Sequence, residues 1–81
     1  MRIRVKLFAV ARQLAKTDQL AIDLPFEAKV SDVRRAVLQQ IPELTDLNDH
    51  IRFSVDAEFA SDDTKIVAES EVACIPPVSG G

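Results

Sequence analysis

Both glycines of the chain are its last two residues, Gly80 and Gly81. Two glycines scattered at random over 81 positions would fall there in roughly one of 3,000 arrangements. Glycine costs backbone entropy in strands and helices, so its absence elsewhere means that no internal turn is built on it. A Gly-Gly end carries no side chains. It fits a channel too narrow for anything but backbone, and it presents one reactive group, the terminal carboxylate. That carboxylate is a poor acyl donor until it is activated, for instance as an acyl-adenylate made from ATP. Once activated it accepts sulfur to become a thiocarboxylate, or it is joined to an amine or thiol. This is covalent group carriage at the chain end, and it asks for no general base on the carrier. The plain alternative is a frayed terminus. Pro76-Pro77 argue against that, because two fixed φ angles hold the segment extended and aim it away from the body of the domain.

The other reactive side chains assemble nothing comparable. His50 and Cys74 are the single histidine and the single cysteine. They lie far apart in sequence, so they form no argued Cys/His or Ser/His/Asp set. Cys74 stands in an apolar run, where a free cysteine behaves as a small hydrophobe. His50 follows Asp49 in a polar stretch and is expected in solvent. The acidic groups Asp46 and Asp49, Asp56 and Glu58, and Asp62-Asp63 read as solvated loops, and no metal site is expected. A glycine-rich phosphate loop is excluded, since no glycine precedes residue 80.

The elements that hold the tail follow from hydrophobic periodicity. Ile3, Val5 and Leu7 alternate with Arg2, Arg4 and Lys6, a period of two that predicts a half-buried strand. Residues 9–16 switch to a helical spacing, with Val10 and Leu14 four apart beside Ala11 and Ala15. Leu20, Ile22 and Leu24 predict a second strand, stopped by Pro25. Ser31-Asp32 is expected to open the main helix, with Ser31 as its N-cap and Asp32 complementing the positive helix end. Val33, Val37, Leu38 and Ile41 form its apolar stripe, and Arg34, Arg35, Gln39 and Gln40 are expected to face away. Pro42 disfavours helical geometry at Ile41 and ends it. Residues 43–49 form a turn or a short second helix.

Ile51, Phe53 and Val55 predict a third strand, with a tight turn at Asp56-Ala57 into a short strand at Glu58-Phe59-Ala60 and a polar loop at residues 61–64. The run Val72-Ala73-Cys74-Ile75 has no alternation, the mark of a central strand covered on both faces. The first strand is then its natural neighbour. The resulting class is α+β, a β-grasp (ubiquitin-like) mixed sheet with one main helix packed across it. Residues 1–81 make a single domain, with a flexible tail from about residue 76.

Composition narrows the function. The chain has 10 Lys and Arg against 13 Asp and Glu, a net charge of −3, and its cations are dispersed, which argues against a nucleic-acid footprint. No apolar run approaches the ~20 residues that span a bilayer. The alternating N-terminus is no signal peptide, and one cysteine makes no internal disulfide. Together these point to a cytoplasmic protein with neither membrane nor nucleic acid among its partners.

The ending Ile75-Pro76-Pro77-Val78-Ser79-Gly80-Gly81 closely resembles that of the molybdopterin synthase small subunits, the MoaD-type sulfur carriers. The likeness extends upstream through Leu7-Phe8-Ala9 with Ala11-Arg12-Gln13-Leu14, Phe53-Ser54-Val55-Asp56 with Glu58-Phe59, Asp62-Asp63-Thr64, and Glu71-Val72-Ala73. The chain departs from that pattern at Asp56, where Asn is common, and at Ala68-Glu69-Ser70, which replaces a glycine-containing turn. The resemblance implies a non-catalytic carrier that binds no cofactor itself. Gly81 would be adenylated by an ATP-dependent activating enzyme of the MoeB type. It would then be sulfurated from a persulfide donor and inserted with Gly80, Ser79, Val78 and Pro77 into the large synthase subunit of a heterotetramer. There the thiocarboxylate would give its sulfur to a cyclic pyranopterin monophosphate to build molybdopterin. Phe8, Phe59 and Ile75 are the implied partner-binding positions. Phe8 also falls on the charged register of its strand, where a bulky aromatic is exposed; a core role for Phe8 and Phe59 is the competing reading. Carriers of the same fold in thiamine, cysteine or tRNA thiolation, and ubiquitin-like modifiers, share Gly-Gly ends and stand as alternatives.

Overall fold

In the computed structural model, which describes residues 1–77, five strands form one mixed sheet in the order β2-β1-β5-β3-β4. The elements run β1 (Arg2–Leu7), α1 (Ala9–Ala15), β2 (Gln19–Asp23), α2 (Val30–Gln40), a 3-10 segment (Pro42–His50), β3 (Arg52–Val55), β4 (Glu58–Ala60) and β5 (Val72–Ile75). β5 is central, parallel to β1 and antiparallel to β3. This is the β-grasp arrangement expected from the unbroken apolar run.

Register sorts every strand residue onto one of two faces. Leu7, Cys74, Phe53 and Ala60 form one row across β1, β5, β3 and β4. This row points at α2 and merges with Val30, Val33, Val37, Ile41, Leu44 and Ile66 in a single core. Lys6, Ala73, Ser54 and Phe59 form the neighbouring row on the opposite face. No helix of the described residues covers that face. Ala73 and Ile75 are accordingly half-buried and not fully enclosed, which corrects the expectation that β5 is covered on both sides.

The start of α2 also departs from expectation. Ser31 is not its N-cap; the cap is Lys29. Its backbone N–H donates to the Asp32 carboxylate at 2.8 Å. The N–H groups of Val30 and Ser31 donate to the carbonyls of Thr64 and Asp62 at 2.9 and 3.0 Å. A helix start needs its free donors satisfied by some acceptor, and here the 61–66 loop supplies carbonyls that a local reading does not contain. The other end behaves as expected: α2 stops at Gln40, before Ile41-Pro42.

Arg34 gives a second correction. Instead of facing solvent with Arg35, it joins three segments. Its Nη1 donates to the backbone oxygens of Asn48 and Ile51 at 3.0 and 2.9 Å, and its Nε and Nη2 donate to Asp62 at 3.2 and 3.1 Å. The guanidinium also lies 5.0 Å from the centroid of the buried Phe53 ring, close enough for a cation–π contact. Its side chain is only 20% exposed, against 55% for Asp62. The carbonyl bonds therefore matter more than the ion pair, since solvent screens the latter. Arg34→Met is expected to lower stability by about 2–3 kcal/mol in urea denaturation, and Asp62→Asn by under about 1 kcal/mol.

The β3–β4 turn has φ of 53° at Asp56 and 70° at Ala57, positive at both central positions as a type I′ hairpin requires. Asp56 tolerates this region better than most residues. Its carboxylate also accepts the Glu71 N–H at 2.9 Å, while its own N–H donates to the Glu71 carbonyl at 2.8 Å. The hairpin thereby fixes the entry to β5 without glycine.

Candidate functional site

The site is the end of the sheet from which the tail leaves. Val78, Ser79, Gly80 and Gly81 lie outside the described residues. Pro76 is buried and Pro77 exposed, so the chain stays packed through Pro76. Ile75, the last residue of β5, is half-buried on the uncovered face and pairs with Arg52 of β3.

Phe8 is held beside this end by its backbone. Its N–H donates to the Cys74 carbonyl at 3.2 Å, and its own carbonyl accepts the N–H groups of Ala11 and Arg12 at the start of α1. With its main chain engaged on both sides, Phe8 presents a side chain that is 46% exposed. Phe59, on edge strand β4, is 57% exposed. The Arg52 guanidinium lies 3.8 Å from the centroid of its ring, holding the aromatic against the sheet. Phe8, Phe59 and Ile75 thus share the uncovered face and its tail end, and the core reading of the two phenylalanines is not what the fold shows. Between them the face is low, with Ala73 and the nearly buried Ser54 side by side. Exposed aromatics around a shallow floor are the anatomy of a protein-docking patch.

Catalytic groups are not gathered here. His50 ends the 3-10 segment and is exposed. Cys74 is buried, pointing into the core. Burial pushes its thiol up to about 11, with Arg34 opposing the shift. A neutral, enclosed thiol is neither nucleophile nor sulfur acceptor. It is also a pH liability. Below about pH 9 the thiol is protonated in folded and unfolded chain alike; between about pH 9 and pH 11 only the unfolded chain ionises, so stability falls as pH rises. The loss attributable to Cys74 by pH ~11 is roughly 2–3 kcal/mol. It should appear as the difference in pH dependence between the wild type and Cys74→Val in urea melts. Among the described residues no cluster of three or more His, Cys, Asp or Glu is arranged to hold a metal, and no helix is long and apolar enough to cross a membrane.

Two exposed hydrophobes fall outside the sequence reading. Phe26 is 87% exposed and Val67 57%. With Met1 and Ile66 they line a groove of about 470 Å³, at the opposite end of β1 from Phe8. Phe26 follows Pro25 in a stretch without periodicity, so no sequence signal marks it.

A mixed five-stranded sheet in this order, with an apolar patch at the end of β5, sets the chain in the class of small ubiquitin-like β-grasp proteins. The chain belongs to the ThiS family, whose sequence profile matches residues 5–81. It is 36% identical to a Caenorhabditis elegans molybdopterin synthase sulfur carrier subunit, over 98% of this chain and 96% of that protein. It superposes on SAMP1 from Haloferax volcanii with a TM-score of 0.86 at 29% identity, covering all of both chains. A putative molybdopterin converting factor subunit 1 from Pyrococcus furiosus gives 0.82 at 27% identity, over 96% of this chain and 99% of that one. The likeness to MoaD-type carriers read from the tail is therefore borne out across the chain.

Proposed function

We propose that the chain is the sulfur carrier subunit of a molybdopterin synthase, and that Gly81 is its working residue. The observation that carries this reading is the end-to-end likeness to a sulfur carrier subunit in a chain whose glycines are confined to residues 80 and 81. The Gly81 carboxylate attacks the α-phosphorus of ATP on an activating enzyme and releases pyrophosphate. The terminal sulfur of a persulfide then displaces AMP from the acyl carbon. A thiol reduces the resulting acyl disulfide, leaving a thiocarboxylate at Gly81. Pro77, Val78, Ser79 and Gly80 thread this group into the large subunit, docked on Phe8, Phe59 and Ile75. There the sulfur passes to a cyclic pyranopterin monophosphate, and hydrolysis restores the carboxylate.

The carrier contributes reach and a grip, and the catalytic side chains belong to the partner. ATP is consumed by the activating enzyme, and the carrier itself holds no cofactor. This supply of ATP and persulfide fits a cytoplasmic setting, and the assembly is a heterotetramer of two carriers and two large subunits. A second reading, a protein modifier joined to lysines, is favoured by the superposition on SAMP1, which a second structure of the Haloferax volcanii protein names a small archaeal modifier protein.

One reaction mixture separates the two. The chain is incubated with activating enzyme, ATP and sulfur donor, then with the large subunit, pterin precursor and a lysine-rich protein extract. Molybdopterin formation with an unmodified extract supports the carrier. Covalent adducts of the chain on lysines, with no molybdopterin, support the modifier.

A further inference from the structure

Charge is unevenly spread over this acidic chain. On the α2 side, Glu43, Asp46, Asp49, Asp62 and Asp63 are all exposed. Of the cations there, Arg34 is spent on its carbonyls and Asp62, Arg35 pairs with Asp32 at 3.5 Å, and Lys29 and Lys65 are exposed without an ion pair among the described residues.

The tail end of the uncovered face is different. Lys6 stands on the open row of β1 beside Ala73. Arg12, in the last turn of α1, lines a shallow pocket of about 210 Å³ with Lys6 and Phe8. Arg52 stands on the far side, paired with Ile75 and stacked on Phe59. All three cations are exposed, and among the described residues none makes an ion pair. Asp18 is the single acid in the Lys6–Arg12 pocket. Farther along the face Arg2 is matched by Asp23 at 3.0 Å, and at the start of β5 the Asp56 carboxylate accepts the Glu71 N–H while the Glu71 side chain is exposed. Seven exposed cations make no ion pair among the described residues: Arg4 farther along the same face, Lys16 just past α1, Lys29 and Lys65 away from it, and Lys6, Arg12 and Arg52, the three set around Phe8 and Ile75.

We infer that Lys6, Arg12 and Arg52 form a cationic collar around the docking patch, and that it steers the chain, tail end first, onto a partner protein whose apolar docking pocket is rimmed by carboxylates. The inference rests on the docking reading above and adds the partner's charge and the order of events. Unpaired cations at the edge of an interface act on the encounter rate more than on the lifetime of the complex. The acidic α2 side repels the same rim, so a wrongly turned chain is rejected before contact. A protein fits better than a nucleic acid, because three cations neutralise too few phosphates to hold a duplex and the collar encloses large apolar side chains.

The test is stopped-flow association with the large synthase subunit of the same organism, between about 20 and about 500 mM NaCl. The wild-type association rate is expected to fall at least about tenfold over that range. The Lys6→Glu/Arg12→Glu variant is expected to associate at least about tenfold more slowly at low salt, with dissociation changed less than about threefold. Arg35→Glu/Lys65→Glu carries the same net charge change on exposed positions away from the collar and is expected to stay close to wild type. A salt-independent wild-type rate, or equal slowing in both variants, overturns the collar while leaving the docking reading in place. Absence of any complex at every salt overturns the docking reading and the collar with it. Tight binding of a DNA 20-mer that the Lys6/Arg12 variant loses would make the face a nucleic-acid site and also overturn the inference.

Discussion

Deletion of Gly81 is expected to leave the domain folded and to stop its chemistry. The core of the described residues is assembled from Ile3 to Cys74, so the melting temperature should stay within about 1 °C of wild type. The shortened chain still ends in a glycine carboxylate, which makes the expected loss informative. The reacting carbon is drawn back by one residue, about 3.5 Å. Misplacing a reacting atom by even ~1 Å can cost on the order of 10²-fold. Adenylation and sulfur transfer are therefore expected to fall by at least that factor in single-turnover assays. Gly81→Ala probes the other requirement. It restores the length and adds one methyl group where the partner's channel admits backbone alone. Full activity in the deletion variant would remove Gly81, and the length of the tail, from the mechanism.

Phe8→Glu is expected to cost the partner complex far more than it costs the fold. The Phe8 backbone is anchored to Cys74 and to the start of α1 whatever its side chain. The side chain is already 46% exposed, so unfolding experiments should register a loss of about 1 kcal/mol or less. Docking would bury the aromatic, and truncating a central aromatic at an interface typically costs ~2–4 kcal/mol. A carboxylate placed in the same apolar pocket adds a desolvation penalty. Titration calorimetry against the large subunit should show affinity weakened by at least about 100-fold. Phe26→Glu is the matched control, since Phe26 is more exposed still, at 87%, and lies at the other end of the molecule. It should bind as wild type does. Equal affinities for the Phe8 and Phe26 variants would take Phe8 out of the interface.

The parts of the fold legible in the sequence are those fixed by local periodicity. Alternation at Ile3, Val5 and Leu7 marks β1. The unbroken run Val72 to Ile75 places β5 in the middle of the sheet, and the β1–β5 pairing follows. Pro42 ends α2 where steric conflict demands. Non-local contacts were not legible. Arg34 stands next to Arg35 and looks equally solvated, but its acceptors lie on Asn48, Ile51 and Asp62. Ser31 has the chemistry of a cap, yet the carbonyls of residues 62 and 64 cap the helix first. Phe8 was legible as exposed because it sits on the charged register of a strand. Phe26 sits in no periodic element and gave no such sign.

The site divides along the same line. The chemistry proposed for the tail rests on residue identities, since two glycines and a carboxylate need no tertiary structure to be recognised. The collar is not. Lys6, Arg12 and Arg52 come from β1, α1 and β3, and only the sheet order brings them around Ile75. Composition shows a dispersed set of cations; folding gathers three of them beside the tail.

The most direct test of the central claim is the intact mass of the chain after incubation with activating enzyme, ATP and a persulfide donor. Replacement of one carboxylate oxygen by sulfur adds about 16 Da. The account predicts that gain, located on Gly81 by fragmentation and absent when ATP is withheld. An unchanged mass, with an activating enzyme that turns over on another carrier in the same buffer, would contradict it.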